Sequence, residues 1–483
     1  MKGGKMQEYP YIIGGEFKKS DKKLEVVNPY DEKIFAYIYE TSPQDIKLAV
    51  KEAKSSQKIW KKTPFKERGY VLREISKIIT QHLQELASLE SKEIGKVFKE
   101  SLFVDIVMAS SCFDYYASFI ESLSGNYFSA NKGIDLIQYQ PFGVVGVFLP
   151  YNVPVMIFGF TVSSILAAGN SVIVKPSEYG SLSILKLVEY ITKLDIPKGL
   201  INVITGKGET VGATLVREDI DLISFTGSRE TLSKIYQNLS FSPKKIICEL
   251  GGCNLTLILE DAQFDDALEN VVGSSFMKQG QMCIGTSVVL IQESIYEKFI
   301  DSLIEKVSKI KIGDPFDPEV GLGPLPTYEH LLRLQERINS LKKEGCKILY
   351  GGEIPDTKGF FYLPTIVEIP QIKYEEFFAP VILVKKFKTR EELNSIVENN
   401  PTGLVLQVWT QDLKWATSFA ENVDCGQVWI NTFAQMDCST PFGGCKKSGW
   451  GRNLGKWGFF EYVQIKHVGI GLEKSPVWGW FGV

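Results

Sequence analysis

A chain of 483 residues is too long for one hydrophobic core and calls for two or three domains. Hydrophobic residues at 44% and charged residues at 23% are ordinary for a globular protein, and a net charge of −3 without a dense Lys/Arg block argues against nucleic acid as a partner. The 8 cysteines form no CxxC and the 3 histidines lie far apart, which argues against a zinc ribbon, a His-rich metal site and a secreted disulfide scaffold.

The N-terminal "MKGGKMQEYPYIIGGEFKKSDKK" has no apolar run before its charges, so no signal peptide is expected and the cytoplasm is the expected compartment; Met1 and Met6 are both candidate starts. "KSSQKIWKKTPFKERGYVLREISKIITQHLQELASLESKEIGKV" carries apolar residues at helical spacing and reads as two or more amphipathic helices. "NYFSANKGIDLIQYQPFG" reads as a hairpin turning at "NKG". Residues 136–174 carry no charge and are long enough to span a bilayer. Pro141, Pro150, Pro154, Asn152, Gly159 and Gly169 interrupt the run, so buried strand, turn, helix and strand is the expectation, with no membrane span.

An alternation then sets in. Strands are expected at 143–150, 171–177, 201–205, 221–227 and 244–250, with helices at 154–169 and 181–194 and in "GETVGATLVR" and "RETLSKIYQNL". This βαβα rhythm predicts a parallel sheet covered on both faces, with ligands beyond the carboxyl ends of its strands. "FDDALENVVGSSFMKQG", "TSVVLIQ" and "SIYEKFIDSLIEKVSKI" begin a second α/β pattern, followed by the loop "DPFDPEVGLGPLPT" and strand-like runs in "GFFYLPTIVE" and "APVILVKKF".

No GxGxxG occurs. Gly206, Gly208 and Gly212 in "GKGETVG" have one spacer too many. In "ISFTGSRET" a strand ends at Thr226, and Gly227 and Ser228 open a helix whose free N–H groups suit a phosphate; Ser228 as a plain N-cap gives the same pattern. Lys175 and Glu178 leave the end of another strand, where a carboxylate would accept from ribose hydroxyls and repel a 2′-phosphate, favouring NAD over NADP. Cys283, in "KQGQMCIGTS", reads on its own residues as either a nucleophile or a small buried side chain.

Taken in order, "VKPSE", "FTGS", "ELGG", "GQMC", "EEFFAP" and "PFGGCKKSGWGR" resemble the aldehyde dehydrogenase superfamily over nearly the whole chain. The resemblance implies an α/β fold: a parallel-sheet, Rossmann-like cofactor domain over 1–122 and 142–251, an α/β catalytic domain over 252–447, and a small β oligomerisation element over 123–141 and 462–483. It implies Cys283 as nucleophile, Glu249 as general base and Asn152 as oxyanion donor. The implied cofactor set is Lys175, Ser177, Glu178, Gly208, Gly212, Phe225, Gly227, Ser228, Leu250, Glu376 and Phe378, with no metal. The expected reaction is oxidation of an aldehyde to a carboxylic acid with NAD, NADP remaining open, by a homodimer or homotetramer. A CoA-acylating relative and a non-catalytic protein on the same fold are the alternatives.

The chemistry gives each residue a reason. Thiolate addition creates an alkoxide that needs donors aimed at it, from the Asn152 amide and the Cys283 N–H. Hydride departure leaves a thioester, and its hydrolysis needs a base. Glu249, between "KKIIC" and Gly251–Gly252, has apolar surroundings that should raise its pKa toward neutrality. Cys253, Arg229, Val288 and Asn453 depart from the common pattern, and Arg229 leaves room for NADP. Tyr151, Val153, Met156, Phe158, Met282, Ile284, Phe433, Met436 and Phe442 suggest an apolar tunnel for an aliphatic or aromatic aldehyde, with Asp437 nearby for a cation. The aromatic tail "SPVWGWFGV" is expected to dock on a neighbour.

Overall fold

The computed structural model describes residues 6–130, 133–239 and 243–472. Two large sheets dominate. The first runs in the order Gly449–Trp450, Lys245–Leu250, Leu222–Gly227, Val144–Leu149, Ser171–Pro176, Ile201–Val203, Tyr11–Ile13, Glu16–Lys18. Its five central strands are parallel, and all have buried hydrophobic side chains on both faces, as a sheet covered on both sides requires. In chain order those five lie 5-4-1-2-3. The order therefore reverses between Val144–Leu149 and Leu222–Gly227, the switch point beyond whose carboxyl ends such sheets hold ligands.

The uncharged run folds as its prolines and glycines predict. Pro154 opens the helix Pro154–Ala167, whose residues are buried nearly all round, and Gly169 turns the chain out of it at φ +93°. Helices Phe65–Gln81 and Ile106–Glu121 pack on it as an outer layer. One apolar helical stretch, Phe98–Glu121, reaches membrane-spanning length at 24 residues, and 44% of its most apolar window is buried inside the protein.

The second sheet is ordered Lys347–Tyr350, Thr365–Glu368, Val381–Phe387, Val288–Gln292, Leu255–Ile258, Val405–Trp409, Gln427–Ile430, parallel except for its first strand. Strand Lys245–Leu250 ends the first sheet and Leu255–Ile258 begins in the second after a short Gly-Gly-Cys-Asn link. The carboxyl edge of one sheet therefore abuts the amino edge of the other. The segment Gly449–Trp450 returns to pair antiparallel with Cys248 and Glu249.

A third sheet holds Asn126–Ala130, Gly133–Pro141 and Val463–Gly471. The expected hairpin is therefore present and the strand "VQIKHVGI" lies along it, while two residues of the "NKG" turn and the aromatic tail lie outside the described residues. The sequence reading did not place the small sheet of Gln7–Tyr9, Lys33–Tyr39 and Lys23–Asn28, or the helix Tyr328–Lys343, although Leu331, Leu334, Ile338 and Leu341 stand at helical spacing.

Candidate active site

Cys283, half-buried, lies on the short loop that enters strand Val288–Gln292 from its amino end. That loop is shaped by three consecutive left-handed residues, Lys278 (φ +53°), Gln279 (φ +56°) and Gly280 (φ +67°). Two of them carry side chains, so the turn persists only because its surroundings over-determine it. Glu100 accepts the Lys278 N–H at 3.1 Å, and the Gln279 side-chain amide donates to the Pro324 carbonyl at 2.8 Å. A Cβ on Gly280 would meet the Ala379 carbonyl oxygen at 2.2 Å, so the third position admits only glycine. Beyond the turn, Asn254 clamps the loop, its amide donating to the carbonyls of Cys283 at 2.7 Å and Gly285 at 2.8 Å.

Asn152, in the turn after strand Val144–Leu149, donates its side-chain amide to the Gln281 carbonyl at 2.7 Å. An amide nitrogen carries two hydrogens, so one orients the group and the other is left for a ligand oxygen. The Asn152 carbonyl in turn accepts from the fully buried Lys96 at 3.1 Å, and Lys96 is neutralised by Glu90 at 2.7 Å and Asp105 at 2.5 Å. Glu90 also accepts the Val155 N–H at 3.1 Å.

Glu249 is buried at the carboxyl end of Lys245–Leu250, and neither of its oxygens has a hydrogen-bond partner among the described residues. Burial holds its carboxyl well above the usual carboxylate range, opposed in part by Arg452 and the Gly444 backbone. Cys283 is pushed up to about 12, by burial first and then by Glu376 and Glu249, while Lys278 acts in the opposite direction. Asn152, Glu249 and Cys283 thus converge where the two sheets meet. None of the three histidines is among the main influences on the thiol, so a carboxylate is the base available to it.

The expected cofactor residues fall along the crevice at the carboxyl ends. Lys175, buried at the end of Ser171–Pro176, pairs with Glu178 at 3.1 Å. The Ser177 hydroxyl accepts the Tyr179 N–H at 3.3 Å and its carbonyl accepts from the Ser181 hydroxyl, shaping that loop. Glu93 binds both the Ser181 and Leu182 N–H groups, at 2.9 and 3.0 Å, and so ties the loop to the next helix. Gly227 ends its strand with the Phe225 ring where a Cβ would stand, at 2.7 Å. The Ser228 hydroxyl accepts the Thr231 N–H at 3.1 Å, the capping role left open by the sequence. Gly208 and Gly212 bound a single π-turn, the first facing open space and the second the Phe148 ring. The Leu250 side chain is buried, and its N–H donates to the Ser448 carbonyl at 3.0 Å.

Glu376, half-buried as a residue, lies against Gly251: a Cβ there would meet both carboxylate oxygens at 2.3 Å. One Glu376 oxygen has no partner, and burial pushes the group up to about 7. Its neighbour Glu375 is not a free solvated carboxylate, because Arg337 grips it at 2.5 and 2.6 Å. Phe378 sits at φ +49°, edge-on to Tyr151 at 6.0 Å between ring centroids. An unpartnered buried carboxylate, a Cβ-free wall and a lysine–carboxylate pair at the end of a parallel strand are groups that fit a dinucleotide.

The expected tunnel divides. Phe158 and Phe442 pack on Phe113 and Phe160 in the core, and Tyr151 packs on Phe378, His330 and Gly180. Val153, Met282 and Ile284 are buried, while Met156, Phe433 and Met436 are half-buried in the same cluster as Cys283. The sequence reading missed the helix Ile106–Glu121 here: Cys112 lies 3.2 Å from Cys438, and Met108 lies 4.0 Å from Cys438, beside the Phe433–Met436 loop. It also missed Asn254, Lys96, Asp105 and Glu90. Asn254 follows "ELGG" after one intervening residue, Cys253, but the charged residues carry no distinguishing pattern in the sequence, and only the fold buries them.

The sequence profile of the aldehyde dehydrogenase family matches residues 17–468. The betaine aldehyde dehydrogenase of Bacillus subtilis (strain 168) is 34% identical over 485 residues, covering 97% of this chain and 99% of that protein. The aldehyde dehydrogenase, cytosolic 1, of Rattus norvegicus is 33% identical, covering 98% of this chain and 96% of its own. The NAD+ complex structure of an aldehyde dehydrogenase from Bacillus cereus superposes with a TM-score of 0.94 at 31% identity, over 97% of each chain. The chain belongs to the aldehyde dehydrogenase family. It is an oxidoreductase that acts on an aldehyde.

Proposed function

We propose that the chain oxidises an apolar aldehyde to its carboxylic acid with NAD+, through a thioester on Cys283 hydrolysed by water that Glu249 activates. The observation that carries this reading is the Asn152 amide, held on the Gln281 carbonyl at 2.7 Å, two residues before the cysteine. Its second hydrogen would then bind the oxygen of a carbon bonded to Cys283 Sγ. Glu249, buried and unpartnered, has lone pairs free for a water and a pKa raised toward the working range of a general base. Bound NAD+ supplies the hydride acceptor. Lys175 and Glu178 would take the adenosine ribose, the glycine-lined turns the pyrophosphate, and Glu376 and Phe378 the nicotinamide end.

Glu178 favours NAD+ over NADP+, since its charge faces the ribose position. Arg229, the residue that leaves room for NADP+, is felt electrostatically at Glu376. Met156, Met282, Ile284, Phe433 and Met436 share one apolar cluster with Cys283 and support an aliphatic or aromatic substrate. The three-stranded sheet has open edges with exposed Tyr127, Phe128, Ile465 and Ile470, which supports pairing with a second copy in a homodimer or homotetramer. The cytoplasm is the compartment consistent with reduced, unpaired cysteines.

An aldehyde panel run with NAD+ and NADP+, with product identified as free acid or acyl-CoA, tests the reading. Free acid with NAD+ from apolar aldehydes is expected. Acyl-CoA as the sole product, or full turnover by Cys283→Ala, would overturn it.

A further inference from the structure

The loop carrying Cys283 and the turn carrying Asn152 are joined by more than one hydrogen bond. The Asn152 amide donates to the Gln281 carbonyl, and the Gln281 N–H donates to the Lys278 carbonyl at 2.9 Å. The Lys278 ammonium is ion-paired with Asp105. Asp105 also binds Lys96 at 2.5 Å, and Lys96 returns to the Asn152 carbonyl at 3.1 Å. These contacts close a ring that begins and ends at Asn152. Asp105 and Lys96 are fully buried and Lys278 is nearly so.

We propose that Lys278 is a positioning residue for the reaction: through Asp105 it closes this ring, fixes the Gln281 carbonyl under the Asn152 amide, and holds a positive charge on the loop that carries the nucleophile. The inference rests on the reading of Cys283 as nucleophile. Lys278 is suited to the task by its backbone as well as its charge. Its left-handed conformation turns the side chain's stem out of the preceding helix, and Glu100 fixes its N–H. Its buried ammonium is paired with the Asp105 carboxylate, which compensates its removal from water. The groups acting on Cys283 are Glu376, Glu249, Lys278 and the Ile284 N–H; both carboxylates oppose the thiolate, and Lys278 is the cation that favours it. Those acting on Lys278 from the neighbouring helix segments are Asp105 and Glu100, with Lys96 and Glu90 completing the cluster.

The test is the rate of iodoacetamide alkylation at Cys283 against pH, read by peptide mass spectrometry on the full-length NAD+-bound enzyme. Lys278→Met, Lys278→Gln and Lys278→Arg are compared with the parent. Lys278→Met should alkylate about tenfold more slowly at pH 8, its inflection displaced upward by about one pH unit. Lys278→Arg should restore most of the rate, and turnover should fall in kcat with little change in KM for NAD+. Lys278→Gln can still hydrogen-bond Asp105 without the charge, so it should show the displaced inflection even if the methionine variant fails to fold. An unmoved inflection in either folded neutral variant overturns the proposal. Failure of the underlying reading would look different: Cys283→Ala would keep its turnover whatever Lys278 does.

Discussion

Two flanks of the same crevice are built on opposite rules. On the nucleophile flank, Asn152, Lys96, Asp105, Lys278 and Asn254 all have partners and form a connected network, the Gln281 side-chain amide being the exception. On the carboxylate flank, both oxygens of Glu249 and one of Glu376 are buried without any. Leaving a buried polar atom unpaired costs about 1–3 kcal/mol, so three such atoms within one crevice call for a reason. The satisfied flank holds geometry, and the unsatisfied flank is where water and ligand complete the protein. Each flank should accordingly fail in its own way when perturbed.

The largest effect is expected on the unsatisfied side. Glu249→Gln cannot take a proton, so hydrolysis should slow by about 10²–10⁴-fold while acylation and the first hydride transfer persist. Stopped-flow absorbance of reduced cofactor should then show a full burst followed by a nearly flat steady state. A uniform loss of burst and steady state would mean that Glu249 acts before the thioester. In the parent enzyme the base must be ionised, so steady-state turnover should climb with pH through the raised Glu249 pKa.

Next comes the satisfied side. Asn152→Ala removes one oxyanion donor and should lower kcat by about 10²–10³-fold, with the burst lost along with the steady state. The same change leaves the Gln281 carbonyl without its donor, so a fall in thermal stability accompanies it.

How far the sequence carries differs between the flanks for the same reason. Glu249, Cys283 and Asn152 lie in short motifs at strand ends, and the alternating pattern placed those ends correctly. The supporting charges were illegible: Asp105 and Glu90 belong to helical segments and Lys96 to the link between two helices, where polar residues normally face solvent. Burial by the Pro154–Ala167 helix and its neighbours inverts their meaning. Tyr151, expected in the tunnel, packs on Phe378, His330 and Gly180, and a motif does not reveal which way a turn residue points. The small residues told more than expected in one case: Gly251, read as part of the apolar surroundings of Glu249, is the wall that admits Glu376.

A stability measurement sharpens the comparison further. Glu93 is pushed up to about 8 and Glu100 up to about 7, both chiefly by burial, despite the N–H groups they accept. A carboxyl whose folded pKa exceeds its unfolded value binds its proton more tightly when folded. Its contribution is fully present below about pH 4.5 and is lost as pH rises toward 7 and 8. Melting temperature should therefore decline from pH 6 to pH 8.5. Glu93→Gln should melt lower overall, having lost an acceptor for Ser181 or Leu182, yet decline less steeply. Parallel slopes in the two proteins would show that Glu93 is already ionised.

The smallest effect expected is at Arg337, which sits outside the crevice and reaches it through a neighbour. Its fork grips Glu375, and the next residues are Glu376 and the left-handed Phe378. As a half-exposed ion pair it is worth about 1 kcal/mol or less to stability, so Arg337→Met should leave the melting temperature within a few degrees. Loosening Glu375 relaxes the segment that presents Glu376, however, and a bulky residue held at positive φ reverts when its restraints go. KM for NAD+ should rise a few-fold while kcat and the burst stay intact, because nothing on the nucleophile flank has moved. A change in kcat instead would mean that the two flanks are mechanically coupled through the Glu375–Phe378 segment, and the division between a satisfied scaffold and an open binding edge would have to be redrawn.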